Sequence, residues 1–194
     1  MLFRSFELGF YLPYAIDREG FHSNAGKVRF LFVTPEAAKR DFFYGVNFEL
    51  GYATRRFSET RWNMEIRPIV GWSLGDYEFI INPIIAAGFG DKGDVVFAPA
   101  ARFARKLGQD FAIGVEYYAD IGPIGSFLPL KEQGHNIYGV VDFKVADVEV
   151  NFGVGYGLTQ GSDRWMTKLI LSKDIDSGEN ERKSNGSARK VIAK

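Results

Sequence analysis

The chain has 194 residues, enough for one sizeable domain. Its 24 basic and 24 acidic residues cancel, and a formal net charge of zero gives no support to a nucleic-acid-binding surface. The absence of cysteine excludes disulfide bonds and thiolate sites. No apolar run approaches the roughly 18 residues of a membrane-spanning helix. The 18 Phe, 9 Tyr and 22 Gly favour β-structure instead.

Apolar and polar residues alternate in segment after segment, which is typical of β-strands with two different faces. The pattern predicts about ten strands, many of them close to the roughly 9–11 residues that cross a bilayer at a tilt. In chain order these predicted strands are Phe6–Leu12, Val28–Val33, Phe42–Tyr52, Trp62–Trp72, Tyr77–Phe89, Val95–Phe103, Phe111–Tyr118, Ile137–Val145, Val148–Leu158 and Trp165–Leu171.

The connections between these strands alternate between short turns, such as Ser73–Asp76, and longer polar loops, such as Thr54–Arg61. Outer-membrane barrels are connected in this way. We therefore expect an all-β fold: one antiparallel up-and-down transmembrane β-barrel over residues 1–176, with about ten strands within a range of roughly 8–12. Residues 177–194 are rich in Ser, Asn, Gly and Lys and are expected to form a flexible C-terminal tail.

Two observations favour an apolar face that contacts lipid. Aromatic residues end the apolar stripes, for example Tyr44 with Tyr52 and Trp62 with Trp72, and such girdles lie at the two membrane interfaces. The opposite face combines Gly with charged residues, and Gly in a narrow interior makes room for long side chains. A soluble lipocalin-like barrel with the faces reversed has the same alternation and stays an alternative.

The inward-facing polar side chains are the candidate lining of a channel or ligand cavity. In a narrow barrel such charges can equally pair across the interior and fill it, because unpaired buried charges are costly. Both alternatives stay open at this stage. The predicted set is Glu7, Arg29, Asn47, Glu49, Glu65, Arg67, Glu78, Asn82, Arg102, Glu116, Asp120, Asp142, Lys144, Glu149, Asn151 and Lys168.

Pro68, Pro83 and Pro99 fall within three successive predicted strands, all on the apolar face. Each proline removes one backbone donor, which normally confines proline to edges and bulges. They predict an irregularity in the barrel wall. One hypothesis is a lateral opening for an apolar ligand, and the alternative is a bulge without functional consequence.

Catalysis and metal binding have little support in the sequence. The two histidines, His22 and His135, both fall in predicted loops, and Ser126 shares a loop with His135. A serine and a histidine often share a loop by chance, so we predict no enzyme activity and no catalytic residues. No His/Cys cluster suggests a metal, and no cofactor is expected.

The long loop Ile121–Leu130 is unusually apolar and is expected either to constrict the barrel mouth or to pack against neighbouring loops.

Several segments resemble an uncharacterised family of proteobacterial outer-membrane β-barrel proteins. They are Phe42–Leu50, Glu65–Trp72, Glu116–Pro123, Phe152–Thr159 and Lys168–Asp174. The resemblance covers most of the chain from Arg4 to Asp174 and implies a fold and a location, but no activity. Members of the family carry a signal sequence and further strands ahead of the region that matches Phe6–Pro13, so we expect this chain to lack both.

Together these features predict a bacterial outer-membrane barrel that acts as a passive channel or small-molecule transport or binding protein, with a polar, charge-paired lumen. Its expected partners are the lipid bilayer and small polar or aromatic solutes, and no nucleic acid. The alternatives are a structural barrel with a plugged interior and the soluble lipocalin-like binder. The sequence leaves the solute and the oligomeric state open.

Overall fold

A computed structural model describes residues 6–11, 14–17, 20–23, 26–55, 60–90, 93–146 and 148–173. Over these residues the chain forms β-strands and one short 3-10 helix, Ala37–Lys39, and no helix is long and apolar enough to cross a membrane. The strands are β1 (Phe6–Tyr11), β2 (Tyr14–Asp17), β3 (Gly20–Ser23), β4 (Gly26–Val33), β5 (Phe42–Tyr52), β6 (Trp62–Leu74), β7 (Tyr77–Asn82), β8 (Ile85–Phe89), β9 (Val95–Phe97), β10 (Ala100–Lys106), β11 (Phe111–Asp120), β12 (Gly122–Pro123), β13 (Gly134–Val145), β14 (Val148–Gly157) and β15 (Trp165–Lys173).

The main sheet confirms the predicted all-β, antiparallel up-and-down architecture. Its strand order is β1-β4-β5-β6-β7-β10-β11-β13-β14-β15, and every neighbouring pair is antiparallel. Each strand of this path falls within or overlaps one of the predicted segments. The sheet is consistent with a barrel but is not closed, because the described residues of β1 and β15 do not pair with each other.

Two predicted strands are interrupted. Tyr77–Phe89 divides into β7 and β8 at Pro83 and Ile84, and Val95–Phe103 divides into β9 and β10 at Ala98 and Pro99. Both interruptions contain a proline, which cannot donate to the ladder. The sequence pattern did not predict the hairpin of β2 and β3 or the short β12, which extends the wall by pairing with β9.

The sheet separates two chemically opposite faces. Large apolar side chains on one face are exposed, including Phe103 and Val115, whereas charged side chains on the other face, including Arg102 and Glu116, are buried. This distribution arises because the residues of a strand alternate between the two faces. We call these the convex and the concave face, because side chains on the concave face meet across several strands.

The curvature is visible in one contact. Lys168 on β15 forms an ion pair with Glu116 on β11, although β13 and β14 lie between them. Three strand spacings amount to roughly 14 Å along a sheet. The sheet therefore curls strongly enough to bring the two side chains together in its interior.

The two ends of the sheet differ. At one end the connections are compact, as at Gly75–Asp76 between β6 and β7, whereas the connections at the other end, such as residues 121–133, are longer. Inside the compact-turn end lies the buried apolar core, and Ala37 of the 3-10 helix contributes to it. Its members are Leu31, Ala37, Phe43, Ile69 and Ile80, with Val33 packed against them.

Candidate functional site

The concave face holds two clusters of polar side chains, one on each half of the sheet. The first cluster, on β1 to β6, comprises Glu7, Lys27, Arg29, Asn47, Glu49, Glu65 and Arg67. The second cluster, on β7 to β15, comprises Glu78, Arg102, Glu116, Tyr118, Asp142, Asn151 and Lys168. Most of the predicted inward-facing residues therefore lie in one of two groups.

Arg102 is the centre of the second cluster. Its Nη1 donates to Glu116 Oε1 at 2.7 Å and its Nη2 binds Asp142, whereas its Nε lies 3.8 Å from Glu78 Oε1 and has no hydrogen-bond partner among the described residues. Asn151 Nδ2 donates to the other oxygen of Asp142 at 2.7 Å. One guanidinium thus binds carboxylates from three neighbouring strands, which is possible because its donors lie in a fixed planar fork.

Glu116 is the most deeply buried acid of this cluster, with only 1% of its surface exposed. Besides Arg102 it binds Lys168, and it accepts a hydrogen bond from Tyr118 Oη at 2.5 Å. Lys168 Nζ also lies 5.4 Å from the centre of the Tyr118 ring and 5.5 Å from that of Tyr138, within cation–π range. Such dense pairing compensates the cost of burying these charges.

The first cluster is more loosely connected. Arg67 donates from Nε and Nη2 to a single oxygen of Glu65, at 2.9 and 2.5 Å, and Arg29 binds Glu7. Asn47 Nδ2 donates to Glu49 Oε1 at 3.1 Å. Among its buried polar atoms, Arg67 Nη1 and Asn47 Oδ1 have no hydrogen-bond partner in the described part of the chain. This cluster is therefore the less completely satisfied of the two.

Glycines on the concave face lie beside large side chains. A Cβ at Gly71 would overlap the ring of Phe43, and a Cβ at Gly155 would overlap the ring of Tyr138. At Gly153 the neighbour is Lys168, with its Cε 2.9 Å from such a Cβ. We expected interior glycines to make room for charged side chains, but at Gly71 and Gly155 they make room for aromatic rings.

Two residues that were predicted to face inward are exposed instead. Asp120, at the end of β11, is exposed, and its Oδ1 accepts a hydrogen bond from the Gly122 backbone N at 3.2 Å. Lys144, near the end of β13, is also exposed. Alternation assigned both to the polar face, but both lie near strand ends, where the sheet no longer covers a side chain. Glu149 is half-buried and lies directly opposite Lys144.

The three prolines form one row across adjacent strands. Val70 pairs with Ile81 and Ile66 with Ile85, so the shared register places Pro68 opposite Pro83. On the other side, Asn82 pairs with Ala100 and Ile85 with Phe97, which places Pro83 opposite Pro99. The register is unchanged on both sides of the row, so no bulge absorbs these prolines.

The row removes backbone hydrogen bonds from the wall. Ile84 O accepts a hydrogen bond from Ala98 N at 2.9 Å, so the backbone groups of Ile84 point toward β9. Successive residues of a strand form backbone hydrogen bonds on opposite sides, so the backbone groups of Pro83 point toward β6. Pro68 and Pro83 thus occupy a pair that would normally exchange two N–H···O bonds, and neither can donate. Asn82 Nδ2 donates to Pro68 O at 3.1 Å in place of one lost donor.

The polar groups at the long-loop end hold two loops together. Thr159 Oγ1 donates to Gln133 O at 2.6 Å, and Ser162 Oγ accepts from His135 N at 2.7 Å. The His135 ring binds Tyr117 Oη through Nδ1 at 2.5 Å and Gln133 Oε1 through Nε2 at 2.8 Å. Both ring nitrogens are thereby engaged by groups other than Ser126, and His135 lies in β13 rather than in the predicted loop. These bonds join residues 133–135, which follow the apolar loop, to the loop at residues 159–162.

Sequence reasoning missed the aromatic part of the interior. The rings of Tyr118 and Tyr138 face Lys168, and Arg29 lies 5.0 Å from the centre of the Tyr11 ring. Alternation placed Phe43, Ile69 and Ile80 on the inner face, but the pattern gave no sign that they form an apolar core.

In the described part of the chain no group of three or more His or acidic residues is arranged to hold a metal ion. His22, which we predicted in a loop, lies in β3, whereas residues 174–194, which include the whole predicted tail, lie outside the described residues.

No protein-family model, no curated protein and no solved structure matches the chain.

Proposed function

We propose that this chain is a membrane-spanning β-barrel of a bacterial outer membrane, in the family that its sequence resembles. One observation carries the proposal: one face of the sheet exposes large apolar side chains, whereas the opposite face buries charged ones. Trp62, Phe103 and Leu169 are about half exposed, whereas Arg67 and Glu116 are almost completely buried. A protein surrounded by water would lose stability through both halves of this arrangement, whereas a lipid environment favours it.

Aromatic contacts on the convex face support this proposal. Near the long-loop end, Tyr52 packs against Trp62, and Tyr156 against Trp165, with ring centres 5.0 and 5.1 Å apart. Near the compact-turn end, Trp72 packs against Phe42 at 5.7 Å. Two aromatic zones separated by an aliphatic band match the two membrane interfaces and the hydrocarbon region between them.

Within that membrane location, we propose that the barrel binds or passively passes small solutes along its charge-paired interior. Positive and negative groups alternate there, and the unsatisfied atoms of the first cluster offer hydrogen bonds to a solute. A second candidate function, a plugged structural barrel, is favoured by Phe43, which is 1% exposed and packs inside the compact-turn end. The two functions differ in whether the interior conducts.

The absence of cysteine allows a direct test of orientation. We would introduce Val115→Cys on the convex face and Ala112→Cys on the concave face of β11, attach a fluorophore to each, and reconstitute the protein with nitroxide-labelled lipids. We expect strong quenching at position 115 and weak quenching at position 112. Heat-modifiable migration on a denaturing gel provides the control for folding. Equal quenching at both positions, or a folded protein that stays in solution without detergent, would contradict the membrane proposal.

Planar-bilayer recording separates the two candidate functions. For a channel we expect small conductance steps from purified, heat-modifiable protein. Phe43→Ala should enlarge those steps, because it removes the aromatic ring from the compact-turn end. A conservative Phe43→Leu variant is the matched control. Folded wild-type protein that never conducts would favour the plugged structural barrel.

A further inference from the structure

We propose that the concave face carries a binding site beside the proline row for uncharged apolar molecules that bear one hydroxyl group. We further infer that these molecules enter from the lipid, between β6 and the line formed by β7 and β8. This inference rests on the membrane location proposed above and specifies the ligand class and its route.

Two unsatisfied atoms define the polar part of the site. Arg67 on β6 is 3% exposed, and its Nη1 has no hydrogen-bond partner among the described residues. Asn47 on β5 is 0% exposed, and its Oδ1 has none either. The register places the two residues directly opposite each other on the concave face. A residue with an unsatisfied buried donor therefore lies opposite a residue with an unsatisfied buried acceptor.

The charges around these atoms select the ligand's polar group. The first cluster contains three acids, Glu7, Glu49 and Glu65, and three bases, Lys27, Arg29 and Arg67, so its formal charge is zero. A carboxylate or an ammonium group would leave one excess charge in a buried setting, which is costly. A hydroxyl group is neutral, and it can accept from Arg67 Nη1 while it donates to Asn47 Oδ1.

Apolar residues lie beside this pair. Ile84 is the register partner of Arg67 on the β7–β8 line, and Ile69 follows on the same face of β6. Their exposed fractions are 5% and 0%. The hydroxyl group would thus be held at Arg67 and Asn47, while the apolar body of the ligand contacts these isoleucines.

The proposed entry route follows from the missing backbone hydrogen bonds between β6 and the β7–β8 line. Pro68 comes directly after Arg67 in the chain, and its pairing with Pro83 supplies neither of the two hydrogen bonds usual at such a position. Separating β6 from the β7–β8 line at this point breaks fewer hydrogen bonds than separation at a regular position. The position with fewer backbone hydrogen bonds therefore lies between the lipid-facing surface and the unsatisfied atoms of Arg67 and Asn47.

The ligand class can be tested with three matched probes. We would measure the equilibrium binding of radiolabelled 4-hexylphenol, hexylbenzene and 4-hexylbenzoate to folded protein in detergent micelles, with empty micelles subtracted. We expect saturable binding of 4-hexylphenol, and binding at least tenfold weaker for the other two. This comparison uses wild-type protein and does not depend on the folding of a variant.

Asparagine variants locate the site. Asn47→Leu should weaken 4-hexylphenol binding at least tenfold. Asn136→Leu is the matched control, because Asn136 Oδ1 is also buried without a partner but lies on β13, away from the proline row. A similar loss of binding in both variants would overturn the assigned location.

The double variant Pro68→Val/Pro83→Val tests the route. Because it restores two backbone donors, we expect association of 4-hexylphenol measured by stopped flow to slow at least fivefold with little change in Kd. An unchanged association rate would overturn lateral entry.

If protein with heat-modifiable migration and the expected lipid quenching binds no probe saturably, the site is refuted while the membrane proposal stands. If wild-type protein shows neither heat-modifiable migration nor the expected lipid quenching, the membrane proposal itself is refuted.

Discussion

The two halves of the concave face use the same residue types in different ways. In the second cluster Glu116 binds Arg102, Lys168 and Tyr118, so one acid serves three partners. In the first cluster Arg67 donates to Glu65 and retains an unsatisfied donor. The comparison teaches that buried charge alone does not indicate a site. A densely paired network, in which Arg102 Nε is the one buried atom of the described residues without a hydrogen bond, fills an interior, whereas a sparsely paired network leaves more buried atoms that a ligand can bind.

The largest expected difference between the halves is in stability. Glu116→Ala removes the shared partner of two buried cations, and we expect a loss of about 3–5 kcal/mol of unfolding free energy. Glu65→Ala should cost less, about 1–3 kcal/mol, because Glu65 is less buried and has one cationic partner. Denaturant titration in lipid vesicles measures both values. Equal losses would contradict the distinction between the clusters.

An intermediate effect is expected where glycine packs beneath an aromatic ring. Gly71→Ala would overlap the Phe43 ring, which is held in the apolar core, so we expect a loss of about 1–3 kcal/mol. Gly155→Ala should cost less, because Tyr138 is half-buried and its ring can shift more easily. Gly139→Ala is the control, because no atom lies within 4 Å of the added Cβ. The same titration ranks the three variants, and a Gly139→Ala loss as large as that of Gly71→Ala would contradict this explanation.

The smallest expected effect concerns the proline row. Restoring donors with Pro68→Val/Pro83→Val should raise the unfolding free energy by about 1 kcal/mol, since each new hydrogen bond contributes about 0.5–1.5 kcal/mol and the unfolded chain gains some freedom. Amide hydrogen exchange should show new protected N–H groups at positions 68 and 83. Rapid exchange at both positions would indicate that the strands do not pair there even when donors are present.

Most of the architecture could be predicted from alternation, because a period of two residues assigns every side chain of a strand to a face. It predicted the strand path and placed Arg67, Arg102 and Glu116 inward. Alternation fails near strand ends, which explains why Asp120 and Lys144 are exposed. It also carries no information on which strand a distant residue meets, so the contact between Lys168 and Glu116 was not predictable.

The sequence by itself determined most of the strands, their two opposite faces and the positions of the three prolines along them, because these features depend on local residue order. Only the tertiary structure decided the register that places Pro68, Pro83 and Pro99 in one row. It also decided which charges are densely paired and which buried atoms stay unsatisfied. Those properties depend on curvature and on pairing between strands, which bring together residues that lie far apart in the chain.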